Sequence, residues 1–460
     1  MTKNKETYLL FTIEHKFLVI ITLCLLTLAP FLFKTTVLVK MDKPVSFDAL
    51  GNATNINLPE GEVKDCFPNN DTGEIGKWVK VNGYISDIAK LKFNPSVAEV
   101  EKDITISLDP ITEEYDPKTW NLEITKAYEA HAKIVVKKRP IVAVVDTGTD
   151  QKHAFLKDSL VPGRNIVDDN NDPSPKYPDE THATHVSGTI VMKTNNGNVV
   201  GAAKPAALVM PVRVLDGNSG SCSNIAKGIV WATDHGANII NLSLGGRYSS
   251  KVMRDAVNYA LKKNVFVVAA RGNSGDSKTH YPSGYKGVIA ATATGIKDGK
   301  EVRAWFSSSG GDNCVAAPGA AIFSTIPGDK FATYSGTSMA TPHVAAAAAL
   351  MIAQYPALTV AQIRDLLLKN GDAVESDVHI GQRVNYLKLV EKTAPKTDDV
   401  SVYDFTEFFE IAWQMTQDWI ALIPATSPTS DWPCCTAHIC DFHPRNGLVY
   451  FSRSTPTNMN

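Results

Sequence analysis

The sequence predicts an α/β protein built on a doubly wound, mostly parallel sheet flanked by helices, preceded by a small α/β module and a hydrophobic helix. Two observations predict the sheet. From Pro140 onward, short apolar runs recur: "IVAVVDTG", "ALVMPVRVLDG", "NIINLSLGG", "VFVVAARGN" and "VIAATATG". Each is rich in Val, Ile or Ala and closes on a polar or glycine turn, as strands buried on both faces do. Between them lie helical stretches, 223–236 and 251–263 among them, and alternation of strand with helix indicates parallel strands joined by crossovers. A third observation concerns chemistry: "YSGTSMATPH" runs straight into "VAAAAAL", placing small polar residues at the mouth of an apolar helix. That mouth is donor-rich and positive, so a hydroxyl at Ser338 stands where negative charge is stabilised. A capping serine would look similar on its own.

The remaining elements follow from composition and texture. With 460 residues, 44% of them hydrophobic, the chain supports a sizeable core and more than one module. Its 46 Lys+Arg against 48 Asp+Glu argue against a nucleic-acid binder, which carries a basic excess. Residues 17–33 are apolar and uncharged, follow Lys3, Lys5 and Lys16, and lead into "KTTVLVK" without a small-residue cleavage site. An uncleaved signal-anchor is favoured over a cleaved signal peptide, and either places the bulk of the chain outside the cytosol, membrane-anchored or secreted. Residues 44–118 are polar and turn-rich with two short strand-like runs. After the helical end of the main domain, "EKTAPKTDD" reads as a linker, followed by an amphipathic stretch at 405–422. The segments expected are therefore 1–34 (signal or anchor), 35–118, 119–393 and a C-terminal extension, 394–460.

In parallel α/β sheets, sites form beyond the carboxyl ends of the strands. Asp146 closes "IVAVVD", His182 opens the helix-like "HATHVSGTI", and Ser338 stands at its helix mouth. A neutral imidazole takes a hydroxyl proton as the oxygen attacks a carbonyl, and a buried carboxylate holds the other ring nitrogen. Each residue alone has an ordinary structural explanation. The three together point to nucleophilic hydrolysis.

In these three segments, "VAVVDTGTD", "HATHVSGTI" and "GTSMATPHVA", the chain resembles the subtilisin-like serine proteases, the subtilases. The resemblance covers roughly 120–392. It implies that Asp146 orients, His182 is general base and then acid, Ser338 is the nucleophile, and Asn273 in "AARGNSG" supplies an oxyanion-hole amide. His185 and His343 are not carried over as catalytic. "NLSLGG" resembles the edge segment, Ser243, Leu244, Gly245 and Gly246, that binds substrate backbone as an added strand. Ala270, Arg271, Gly272 and His280 fall beside the pocket for the substrate side chain. Val79 to Asp103, "VKVNGYISDIAKLKFNPSVAEVEKD", resembles the second half of the family's inhibitory prosegment, which implies a zymogen inhibited by its own 35–118 segment and cut near Asp103 to Asp109.

Departures from the family pattern carry expectations of their own. Ala183 replaces a usual glycine; Arg271 and His280 replace small residues, making the pocket basic and partly filled, suited to smaller or acidic side chains. "KTNNGNVVGAA" resembles a calcium loop with Asn195 as ligand, although Phe155 stands where the partner aspartate belongs. A second calcium candidate groups Asp168, Asp169 and Asp172 as hard oxygen donors. The tail holds Cys434, Cys435, His438, Cys440 and His443, whose spacing fits zinc fingers poorly and disulfides better. The reading is a serine endopeptidase acting on proteins or peptides, with no cofactor needed for chemistry and a structural calcium as candidate. Alternatives are an inactive pseudoprotease that binds peptides along "NLSLGG", and a lipase or esterase, which lacks its G-x-S-x-G elbow and residue order here.

Overall fold

The computed structural model describes residues 34–41, 62–65, 77–84, 88, 89, 91, 94–108, 119–193, 200–204 and 206–393. The apolar run 17–33, Asn195, the stretch 405–422 and the Cys/His tail lie outside them. Among the described residues, no helix is long and apolar enough to cross a membrane.

The first module is an antiparallel sheet of β1 (Lys34–Met41), β2 (Glu62–Asp65), β3 (Trp78–Tyr84) and β4 (Val97–Lys102) in the order β2-β3-β1-β4. Alternation divides its strands between two faces. Val37, Val39, Met41, Val79 and Val81 pack together on one, while Leu38 and Trp78 join the core of the main domain. The sequence reading missed β1, since "KTTVLVK" alternates only weakly and follows an apolar run. Beyond β4 the chain extends as β5 (Thr105–Ser107).

Two short helices, α1 (Trp120–Ile124) and α2 (Ala127–Lys133), lead into the main domain. Its sheet contains β6 (Ile141–Asp146), β7 (Arg164–Asn165) and β8 (Leu208–Arg213), with α3 (His182–Val191) between the last two. After β9 (Ser219–Ser221) come α4 (Cys222–Asp234), β10 (Ile239–Leu242), α5 (Lys251–Lys262) and β11 (Phe266–Ala270). The chain continues through β12 (Ile289–Lys297), β13 (Lys300–Arg303), β14 (Cys314–Pro318) and the hairpin β15 (Ile322–Ile326) and β16 (Lys330–Tyr334). It closes with α6 (Thr337–Gln354), α7 (Val360–Lys369) and α8 (Tyr386–Lys392). The sheet runs β13-β12-β11-β10-β6-β8-β7, with β14 also on β12, and only the β12–β13 pair is antiparallel.

Both sheet faces are covered, which is why its strands read as continuous apolar runs. Val142, Val144 and Val268 face the layer of α3 and α6, whereas Ala143, Val145 and Val267 face α4 and α5. Every residue of α6 is buried, so the alanine run lets the helix lie close against its neighbours.

The N-terminal sheet is bound to α4 and α5 through their exposed helix ends. Glu101 accepts from Ser250 Oγ (2.9 Å) and from the N–H groups of Lys251 (2.9 Å) and Val252 (3.2 Å) at the start of α5. Asp103 accepts from the Ser223 N–H (3.1 Å) and hydroxyl (2.7 Å) at the start of α4. Carboxylates there satisfy donors that no carbonyl of the helix can reach. Asp255 on α5 returns the contact, accepting from Trp78 Nε1 at 3.0 Å and Lys40 Nζ at 2.8 Å.

Two fully buried histidines make the fold acid-sensitive. His343 donates from Nδ1 to the Met339 carbonyl (2.8 Å) and accepts at Nε2 from Asn121 (2.9 Å), and burial pulls it down to about 4. His185 is pulled down to about 3, again chiefly by burial. Both titrate near 6.5 once unfolded, so the unfolded chain binds more protons across the interval between. Stability is full above about pH 6.5 and falls with acidification toward pH 4, by about 1.4 kcal/mol per pH unit for each histidine. Urea unfolding of Ser338→Ala protein, which avoids self-digestion, checks this; His343→Asn flattens the slope.

Candidate active site

β6 lies between β10 and β8, so the carboxyl end of this central strand carries Asp146 to the rim of the sheet. Its carboxylate is fully buried, and Oδ1 accepts from His182 Nδ1 at 2.8 Å and from the Thr147 N–H at 2.7 Å. His182 is the first residue of α3, whose start is fastened to the turn after β6 by the Ala183 N–H donating to Thr147 Oγ1 (3.0 Å). Ala183 itself is packed in the core. With Nδ1 donating to the carboxylate, Nε2 keeps its lone pair and can receive a proton. His185, one turn on, donates from Nε2 to the Ile322 carbonyl (2.9 Å) and stacks on Tyr334 at 4.5 Å. It anchors α3 to the β15–β16 hairpin and stays neutral.

Ser338 is the second residue of α6 and sits at its open end. Pro342, four residues on, has no N–H to give the Ser338 carbonyl. Ser243 Oγ donates to that oxygen instead (2.8 Å), while Ser338 Oγ donates to the Ser243 carbonyl (2.9 Å). Asn273 is held by its carboxamide oxygen, which accepts from the Thr337 N–H (2.9 Å) and hydroxyl (2.8 Å). This turns Nδ2 toward Gly336. A Cβ on Gly336, whose φ is 153°, would lie 3.4 Å from Asn273 Nδ2 and 3.6 Å from the Ser338 nitrogen. The missing methyl therefore leaves a space between two N–H donors.

A cleft runs up to this space, and the chain's own β5 lies in it. Ile106 and Ser107 pair antiparallel with Gly220 and Ser219 of β9, Leu108 N–H donates to the Asn218 carbonyl at 2.8 Å, and Ser107 bridges Gly245 from the other side. Gly246 in turn bridges Tyr281, fixing the far side of the 243–246 strip. Ser243, Ala270, Gly272, His280, Asn273 and Ser338 line the pocket at the end of β5.

The subtilase family model matches residues 137–388. The chain belongs to the subtilase family. Subtilisin E of Bacillus subtilis is 38% identical over 299 residues, 64% of this chain and 75% of that protein. Thermitase of Thermoactinomyces vulgaris is 42% identical over 214 residues, 46% of this chain and 75% of thermitase. Among solved structures, fervidolysin from Fervidobacterium pennivorans, a keratinolytic enzyme related to subtilisin, superposes with a TM-score of 0.64 at 25% identity. That match covers 78% of this chain and 61% of fervidolysin. The protein is a subtilisin-like serine endopeptidase with the subtilisin-like fold.

Two expectations for this subtilase are corrected by the structure. Arg271 does not enter the pocket. Its guanidinium turns behind it and donates to the carbonyls of Gly310 (3.1 Å), Lys278 (3.0 Å), Ser277 (3.4 Å) and Ser309 (2.7 Å), tying two loops together. Nor do Asp168, Asp169 and Asp172 form a calcium cage, because side chains of the protein already engage them. Asp168 pairs with Lys176 (3.3 Å) and Arg213 (3.2 Å), Asp169 with Arg164, and Asp172 accepts from Gln151 (3.2 Å) and the Ser174 N–H (3.1 Å). Phe155 packs edge-on against Phe331 at 5.2 Å, an apolar contact where a ligand was expected. Among the described residues, no group of three or more His, Cys, Asp or Glu is placed to hold a metal. Cys222 and Cys314 are buried free thiols.

Sequence reading missed two parts of the site. One is β9 and "DGNSGS", the second wall of the cleft, although it follows an apolar run as the strand-end rule requires. The other is the ionic cluster around Arg213, the residue beside Asp146 on β8. Arg213 is fully buried and donates to Glu180 (2.8 Å) and Asp216 (2.8 Å), and Glu180 also accepts from the Gly217 N–H at 2.8 Å. Glu180 thus joins the approach to His182 with the loop that becomes β9. Glu180→Ala leaves a buried cation short of its partner and lowers stability by about 3 kcal/mol, measured by urea unfolding in the Ser338→Ala background.

Proposed function

We propose that this subtilase hydrolyses peptide bonds through an acyl-enzyme on Ser338, with Asp146 and His182 completing the triad, and that it is made as a zymogen. The observation that carries the reading is the space left by Gly336 between Asn273 Nδ2 and the Ser338 N–H, beside a serine hydroxyl. It suits an oxyanion that forms only once a carbonyl is attacked. In the reaction, the Ser338 hydroxyl leaves the Ser243 carbonyl and passes its proton to His182 Nε2 as Oγ bonds to the substrate carbonyl carbon. The imidazolium is stabilised by Asp146 through the 2.8 Å bond to Nδ1. His182 then returns the proton to the departing amine, and water repeats the sequence to release the acid.

The zymogen reading is supported by β5, which occupies the cleft as an added strand. Residues 35–118 act as the inhibitory prosegment, 119–393 as the peptidase and 394–460 as an extension, and self-cleavage falls near Asp103 to Asp109. Targeting by the apolar run 17–33 places the peptidase outside the cytosol, and the cut releases it from that segment. The orientation of Arg271, whose guanidinium donates to loop carbonyls rather than entering the pocket, favours this reading over the peptide-binding alternative.

Two outcomes follow. A fluorophosphonate probe labels the wild type at Ser338, while Ser338→Ala is unlabelled and stays uncut by mass spectrometry; an unlabelled wild type sinks the enzymatic reading. Asn273→Ala lowers kcat about 10²–10³-fold, the loss known for one oxyanion donor in subtilisin, with KM little changed in peptide-hydrolysis kinetics.

A further inference from the structure

One unusual group lines the side-chain pocket. The His280 ring stacks directly over Gly272, whose φ is +107°; a Cβ on Gly272 would meet the ring at 2.4 Å. His280 is 6% exposed, and its Nδ1 is buried without a hydrogen-bond partner. The ring fills the space that glycine leaves open at 272 and so narrows the pocket, which it lines together with Ala270 and Gly272.

The register of the cleft identifies which substrate side chain reaches this pocket. Ser107 lies opposite Gly245, and in an antiparallel pair each step forward on one strand is a step back on the other. A substrate in the register of β5 therefore sets the residue two beyond the Ser107 position opposite Ser243. Ser243 lines the His280 pocket and holds the Ser338 hydroxyl. In this chain's own sequence that residue is Asp109.

The charges around the ring choose between an acid and its amide. Arg247, Arg271 and Asp276 lie close enough to His280 for their charges to act on it. Asp276 is neutralised by Arg247, which donates to it at 2.7 and 3.1 Å, whereas the four bonds of Arg271 go to main-chain carbonyls. The surplus is positive. We propose that His280 determines the primary specificity of this subtilase, and that the pocket selects aspartate by a charge-assisted hydrogen bond from His280 Nδ1–H. The proposal deepens the peptidase reading above and rests on it. Burial and the two arginines hold the imidazole below its usual value, which favours its neutral form. An entering carboxylate favours the charged form, and substrate binding takes up a proton.

The test uses the enzyme matured from the full chain, with fluorogenic peptides carrying Thr-Ile-Ser-Leu followed by Asp, Asn, Leu or Phe at the cleaved bond. Aspartate is expected to exceed asparagine roughly tenfold or more in kcat/KM at pH 6. That ratio shrinks as pH rises to 8, each comparison being made at equal pH. His280→Ala is expected to abolish the aspartate preference and admit Leu and Phe, with fluorophosphonate labelling of the variant showing that it is folded. A wild type that prefers Leu, Phe or Asn, or a ranking untouched by His280→Ala, overturns the proposal while leaving the peptidase intact. A wild type that cleaves no peptide and takes no label overturns both.

Discussion

The hydrogen bond from His182 Nδ1 to the buried carboxylate of Asp146 imposes the strictest demand on this fold. A charge removed from water needs partners supplied by rigid structure. The partners come from the Thr147 N–H and from an imidazole delivered by the first turn of a separate helix. That delivery requires a central strand ending at Asp146, a helix start pinned to the turn beyond it, and a hairpin beneath to hold His185. The covered sheet, the neutral buried histidines and the Arg213 cluster all keep these positions fixed.

The same economy of backbone groups governs the interface with the N-terminal sheet. Helices α4 and α5 meet it with their N-terminal donors, and the sheet answers with Asp103 and Glu101. These two carboxylates are adjacent in alternation to Lys102 and close to β5, so the contacts that hold the module also set the direction in which the strand enters the cleft. Binding and alignment are one event.

Much of this was legible in the sequence, and the parts that were not share a cause. Asp146, His182, Ser338 and Asn273 sit at ends of strongly patterned segments, where a reactive side chain interrupts an apolar run and stands out. Central strands are long runs of Val, Ile and Ala with one meaning. By contrast, Arg271 looked like a pocket residue because its neighbours Ala270 and Gly272 are; the direction of a long side chain depends on carbonyls far along the chain, at Gly310 and Ser309. Asp168 looked like a metal ligand because Arg213, which engages it, lies 45 positions away. Composition of a loop is local, whereas compensation of its charge is not.

Pro342 and Ser243 illustrate how such distance binds residues together. Proline in a helix normally leaves an oxygen unsatisfied, and here the orphaned oxygen belongs to the nucleophile's own residue. A hydroxyl from the substrate-binding strip occupies the vacancy, so an apparent flaw in the helix becomes a rivet between two walls of the cleft. An ordinary amino acid at 342 would bring back a competing donor, and loss of the hydroxyl at 243 would strand the acceptor, so each residue constrains the other although they lie 99 positions apart in the chain.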